Sequence, residues 1–277
     1  MKAQSINRYE ADARVLPLGS TGRFCFMVLL VVVGVTSGGC LGPGDLSRVQ
    51  TTSDQPRAGN VYLLRGFLGI WSSGIDTIGH DLSEQGVRAS VYQNEQAQKV
   101  TQAVVAHYED FKDHEPLVLV GHSWGADNCI KLAHALDKVG VPVDLMVLID
   151  PVTPDPIPGN VKRCYNIYQS NGMWDKIPYF RGMPVRPEEG SAGFVLNSNI
   201  RTDRTDLLLP DTDHYNIEKN PKVQQEVLKL VLTACPPREQ WTQTHQSTHS
   251  STPLMAGDQG SGPGGTGYGA SAARWNH

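Results

Sequence analysis

The stretch "LVLVGHSWGAD", Leu117 to Asp127, restricts the possible folds more than any other part of the chain. Side chains of a strand alternate between its two faces, so the uninterrupted apolar run Leu117–Val120 must be covered on both. That is the signature of a central strand in a parallel sheet. Beyond the turn, Cys129, Leu132, Ala133, Leu136 and Val139 recur at helical spacing and form one apolar stripe. Between strand and helix stand Gly121, His122, Ser123, Trp124 and Gly125. A reversal this short forces its middle residue into a strained backbone conformation and leaves no room for a Cβ two positions to either side.

The same alternation extends in both directions. "NVYLLR" (Asn60–Arg65) reads as a strand, and "DTIGHDLSEQG" as a helix closed by Gly86. "VRASVYQ" is the next strand. Ala97, Val100, Val104, Tyr108 and Phe111 mark an amphipathic helix over 95–111. "VDLMVLID" (Val143–Asp150) and "VKRCYNIYQ" follow as strands. A last helix is capped by Asn220, starts at Pro221 and buries Val223, Val227, Leu230 and Val231. Strands alternating with helices predict an α/β fold with a doubly wound, mostly parallel sheet and helices on both faces. In such sheets ligands bind at the carboxyl ends of the strands.

The ends of the chain read differently. Arg23 precedes an apolar run from Phe24 to Val35, too short for a membrane span of ~20 residues and suited to a signal peptide over 1–39. Ser37 and Gly39 suit ordinary cleavage, while "SGGC" resembles a bacterial lipoprotein box that would make Cys40 the lipidated first residue. Ser37 stands where such boxes prefer leucine, and an uncleaved signal anchor is a further reading. The expected location is exported, in the cell envelope and lipid-anchored to the membrane, or else periplasmic or secreted. Residues 40–59 read as a flexible tether, 60–235 as the folded domain, and 236–277, rich in Gln, Thr, Ser and Gly, as a disordered tail that takes His245, His249 and His277 out of consideration. A metal site in that tail is the remote alternative. Of five cysteines, Cys129, Cys164 and Cys235 fall in the domain, and an exported protein could bridge Cys164 to Cys235, since Cys129 falls on the buried helix face. The net charge of −4 without a basic stripe disfavours nucleic acid. No metal-ligand spacing occurs, and no cofactor is implied.

Ser123, at the carboxyl end of the most apolar strand and directly before a helix, sits where a Gly-x-Ser-x-Gly nucleophile elbow requires it. A serine hydroxyl needs a base within hydrogen-bond reach. His214, in "LLLPDTDHYNI", follows a late apolar segment and precedes the terminal helix, so it fits that part. His80, His107 and His134 lie in predicted helices, His114 in a charged turn, and His122 should point away from Ser123. The base needs a carboxylate to hold its tautomer. Asp150 ends the strand "LMVLID" on the same sheet edge; Asp175, in "SNGMWDKIP", is the competitor, and Asp155, Asp211 and Asp213 read more simply as turn or capping residues. Backbone donors for an oxyanion hole are expected from Trp124, after the nucleophile, and from Phe67 in "LLRGFLG".

Together "RGFLG", "GHSWG", "LID" and "DHYNI" resemble the α/β-hydrolase superfamily, over essentially the whole of 60–235. An acid after the strand that follows the elbow helix is similar to the thioesterase-like branch; many hydrolases carry it one strand later, which keeps Asp175 open. The resemblance implies an esterase, thioesterase or lipase-like serine hydrolase acting on a small-molecule or lipid-like ester, with an acyltransferase on the same residues as a close variant. A non-catalytic envelope protein that keeps the fold is the different-class alternative. Arg65 stands where the superfamily often has histidine; it could favour an anionic acyl or leaving group, or be paired with a buried carboxylate as a structural element. The segment "YFRGMPVRPEEGSAGF" offers a small loop cover and no large lid.

Overall fold

The computed structural model describes residues 44–67, 72–109, 114–170 and 182–249. Six strands form one parallel sheet: β1 (Asn60–Leu64), β2 (Arg88–Tyr92), β3 (Leu117–His122), β4 (Leu145–Ile149), β5 (Arg163–Tyr168) and β6 (Phe194–Asn199), in the order β2-β1-β3-β4-β5-β6. The helices are α1 (Ser73–Glu84), α2 (Ala97–Tyr108), α3 (Trp124–Asp137), α4 (Pro221–Ala234) and α5 (Arg238–His249).

Strand periodicity explains why the core is double. On β3, Leu117 and Leu119 join one apolar cluster with Val100 and Val104 of α2 and Cys129, Leu132 and Leu136 of α3. Val118 and Val120 enter a second cluster with Ile75, Ile78 and Leu82 of α1 and Val223, Val227 and Val231 of α4. Neighbouring residues on one strand thus face opposite layers, so the run needs no polar residue. From β1 the chain steps outward to β2 by way of α1, then returns past β1 to β3. Strand order therefore reverses between β1 and β3, and their carboxyl ends open the crevice that such sheets offer to ligands.

Four expectations need correction. Cys164 belongs to the first cluster and Cys235 to the second, so the sheet separates them; Cys129, Cys164 and Cys235 are all buried free thiols. The supposed tether is packed from Gly44 onward. Leu46–Arg48 is a 3-10 turn, Val49 is fully buried, and the Gln50 carbonyl accepts from the hydroxyls of Tyr62 (3.1 Å) and Tyr108 (2.9 Å). The supposed tail begins with α5. Arg238 is anchored to Glu115 at 2.7 Å, and the Glu115 carboxylate also accepts from the amides of Ser53 (3.1 Å) and Gly59 (2.7 Å). One buried carboxylate thus gathers the segments before β1 and after α4. The fourth difference is β6, a strand that was not expected; it starts at Phe194, where the expected loop cover ends. Asn197 completes it: its side chain exchanges hydrogen bonds with the Val185 backbone at 2.8 Å and accepts from Asn166 at 2.8 Å. A side-chain amide here imitates a strand neighbour. Cys40 and the signal segment lie outside the described residues, as does Asp175.

Candidate active site

The turn between β3 and α3 has the expected geometry. Ser123 has φ 56° and ψ −125°, a conformation L residues rarely hold. It is kept there by packing. A Cβ on Gly121 would lie 2.5 Å from the Gly125 carbonyl oxygen, and one on Gly125 only 2.2 Å from that of Leu64. The Ser123 amide donates to Ile149 O at 2.9 Å, which fastens the elbow to β4.

Three residues distant in sequence meet at this edge. Ser123 Oγ lies 3.0 Å from His214 Nε2, and His214 Nδ1 lies 3.1 Å from Asp150 Oδ2. A carboxylate only accepts, so Nδ1 carries the proton and Nε2 is the acceptor for the serine hydroxyl. Asp150 is wholly buried. Its Oδ1 accepts from the Gln169 amide at 2.7 Å, and Arg201 donates to Gln169 Oε1 (2.7 Å) and to Thr212 O (2.8 Å), tying the acid to the loop that carries His214. Asp150 also has a left-handed backbone, φ 48°.

The loop after β1 passes close by. A Cβ on Gly66 would stand 3.2 Å from that of Ser123. Phe67, half exposed, packs edge-on against Trp124 with ring centroids 4.6 Å apart. The Gly66 amide donates to Ser72 Oγ at 2.9 Å, whereas the Phe67 amide has no acceptor among the described residues. Arg65 pairs with Asp76, a partly exposed carboxylate on α1, rather than with a buried one.

His122 does turn away from Ser123, and sequence reasoning missed what it does there. Ser72 Oγ lies 2.8 Å from its Nδ1, and its Nε2 lies 2.9 Å from the carbonyl oxygen of His214. Since the Gly66 amide occupies Ser72 as donor, the Ser72 hydroxyl donates to Nδ1 and the His122 Nε2–H donates to His214 O. One neutral imidazole so bridges the loop of Phe67 and the loop of His214. Burial, reinforced by the neighbouring His214, pulls its pKa down to about 3. Glu218 stands beside it, Oε2 3.8 Å from Nε2, fully buried, and neither oxygen has a well-formed hydrogen bond among the described residues. Burial pushes that carboxyl up to about 8, so it is neutral at pH 7. Nothing in the local sequence around His122, Gln169, Arg201 or Glu218 reveals these contacts, because each partner comes from another element.

A central nucleophile-type elbow, a parallel sheet wound on both faces, and a histidine and an acid brought in from later loops compose one known architecture. This is the α/β-hydrolase fold. No family model and no curated protein sequence matches the chain. Among solved structures, it is similar to Est1E from Butyrivibrio proteoclasticus, with 14% identity over 65% of this chain and 89% of that one and a TM-score of 0.38. A thioesterase, RedJ, from the prodiginine biosynthetic pathway of Streptomyces coelicolor has 13% identity over 72% and 95%, with a TM-score of 0.39. A lidless α/β serine hydrolase from Xanthomonas campestris has 12% identity over 66% and 82%, with a TM-score of 0.34. Likenesses this distant say nothing about activity. Among the described residues no cluster of three His, Cys, Asp or Glu is set to hold a metal ion, and no helix is long and apolar enough to cross a membrane.

Proposed function

We propose that the protein is a serine hydrolase that cleaves carboxylic esters or thioesters through an acyl-enzyme. The observation that carries this reading is the continuous Ser123–His214–Asp150 contact at 3.0 and 3.1 Å. In the proposed reaction the Ser123 oxygen attacks the substrate carbonyl carbon while its proton passes to His214 Nε2. The buried Asp150 carboxylate stabilises the imidazolium that results. The carbonyl oxygen, now an alkoxide, accepts from the amides of Trp124 and Phe67. Collapse expels the alcohol or thiol, which takes the proton from His214, and leaves Ser123 acylated. Water then repeats the sequence with His214 again as base and releases the carboxylic acid.

A fluorophosphonate probe tests this directly. It should label the protein, and Ser123→Ala should abolish both labelling and ester hydrolysis; a variant that still labels would place the nucleophile elsewhere. The acid is tested by pairing Asp150→Asn with Asp175→Asn on p-nitrophenyl acetate, where only the first should lose activity by about 10⁴-fold.

Export and lipidation at Cys40 belong to the same proposal and rest on the 1–40 sequence. Radiolabelled palmitate should enter the protein in a bacterial host, and Cys40→Ala should prevent it. Absence of label from the unaltered chain would leave a plain signal peptide.

A further inference from the structure

A cavity of about 330 Å³ opens beside α3, and its wall includes Trp124, the residue that follows Ser123 in the chain. It is lined by Trp124, Asp127, Asn128 and Lys131 of that helix, by Asn94 after β2 and by Thr153 after β4. A volume in this range holds a small-molecule group. The lining is not that of an acyl pocket, which would call for aliphatic walls. Apart from Trp124, every wall residue is polar.

The polar groups are of both kinds and are held in place. Asp127 is buried and accepts from Val152 N (3.2 Å), Thr153 N (2.9 Å) and Thr153 Oγ1 (3.1 Å), so its carboxylate is fixed beneath the cavity. Asn128 Nδ2 donates to Asn94 Oδ1 at 2.7 Å, which leaves the Asn94 Nδ2 donors without a partner among the described residues. Lys131 reaches Asn128 Oδ1 at 3.5 Å and is otherwise exposed.

We propose that this cavity receives the carbohydrate part of a carbohydrate ester whose acyl carbonyl is attacked by Ser123. This deepens the serine-hydrolase reading and rests on it. An anionic group would meet the Asp127 carboxylate, and a cationic one Lys131. An aliphatic group would strip water from the two asparagines and the lysine without replacing their hydrogen bonds. A sugar satisfies every wall. Its hydroxyls donate and accept at once, matching amides, ammonium, carboxylate and hydroxyl, and its C–H face suits the indole of Trp124. Trp124 also touches Phe67, so a ring held there adjoins the loop expected to bind the oxyanion.

The test compares methyl 6-O-acetylglucoside with hexyl acetate. The unaltered protein should show a kcat/KM at least about ten-fold higher on the sugar ester. Asn94→Ala and Lys131→Met should each remove about ten-fold of that on the sugar ester, one hydrogen bond apiece, and leave hexyl acetate within about two-fold. Absence of preference, or equal loss on both esters, overturns the proposal. Calorimetric titration of the Ser123→Ala protein with the same sugar ester should detect binding, weakened by adding Asn94→Ala; no binding overturns the cavity assignment. Turnover that survives in Ser123→Ala refutes the nucleophile instead, while the titration still judges the cavity.

Discussion

At Ser123 the backbone is strained and its neighbours make the strain unavoidable. Gly125 is the tightest of them, with two carbonyl oxygens of the β1 end within 2.4 Å of where a Cβ would sit. Gly125→Ala must push β1 from α3, which should cost about 3 kcal/mol, read as a lower urea midpoint with the m-value unchanged. This position was readable in the sequence because sterics demand glycine there. Asp150 was readable too, since a carboxylate closing an apolar strand is costly unless something uses it. His122 was not. Its partners, Ser72 and the His214 carbonyl, are 50 and 92 residues away. The two nitrogens can be tested separately. His122→Gln keeps a donor where Nε2 stood and His122→Asn an acceptor where Nδ1 stood, so Gln should retain more of the proposed ester-hydrolysis kcat if the His214 loop matters most. His122→Ala should lose about 10-fold or more in kcat, with KM little changed, by loosening both loops.

Among the elements, those with strong periodicity appeared where the pattern put them. β3, α3 and α4 follow from apolar spacing alone, and α4 starts as its cap predicts: Asn220 accepts from Lys222 N at 3.0 Å, and Pro221 occupies the first turn. Asn220 also donates to Leu207 O at 2.7 Å, binding the helix start to the loop before His214. Asn220→Ala should therefore cost at least about 1 kcal/mol in thermal or urea unfolding, the usual loss for a cap. β6 escaped notice because "FVLNSN" ends in residues that disfavour strands, and its pairing is completed by the Asn197 side chain rather than by pattern. α5 carries no apolar stripe, being polar apart from Trp241. What orders its start is Arg238 meeting Glu115, a pairing across 123 residues that no local window contains.

For the molecule as a whole, the buried His122 and Glu218 set opposite pH dependences of stability. Glu218 keeps its proton in the fold up to about pH 8, while in the unfolded chain it loses it near 4.5. His122 stays neutral in the fold down to about pH 3, but gains a proton near 6.5 when unfolded. Between pH 4.5 and 6.5 these contributions cancel. Above 6.5 the fold holds the extra proton, so stability should fall as pH rises, by about 1.4 kcal/mol per unit. Below 4.5 the unfolded chain holds the histidine's proton, and stability should fall as pH drops. Urea unfolding from pH 3 to 8 measures both limbs, and Glu218→Gln should flatten the upper one relative to the unaltered protein. An unchanged upper limb in that variant would mean that Glu218 ionises inside the fold.

The packing of Gly44 has a spatial consequence. Gly44 exchanges hydrogen bonds with the Gln96 side chain and lies against Tyr92, the last residue of β2, so the chain enters the domain at the rim where Ser123 also sits. From Cys40 to Gly44 a fully extended backbone reaches only about 14 Å. Were Cys40 to carry acyl chains, the domain would be held with that rim no more than about 14 Å from the anchored residue. Its ester would then come from the surface on which it stands, and a long Gly-Ser insertion ahead of Gly44 should slow turnover of vesicle-borne esters while sparing dissolved ones.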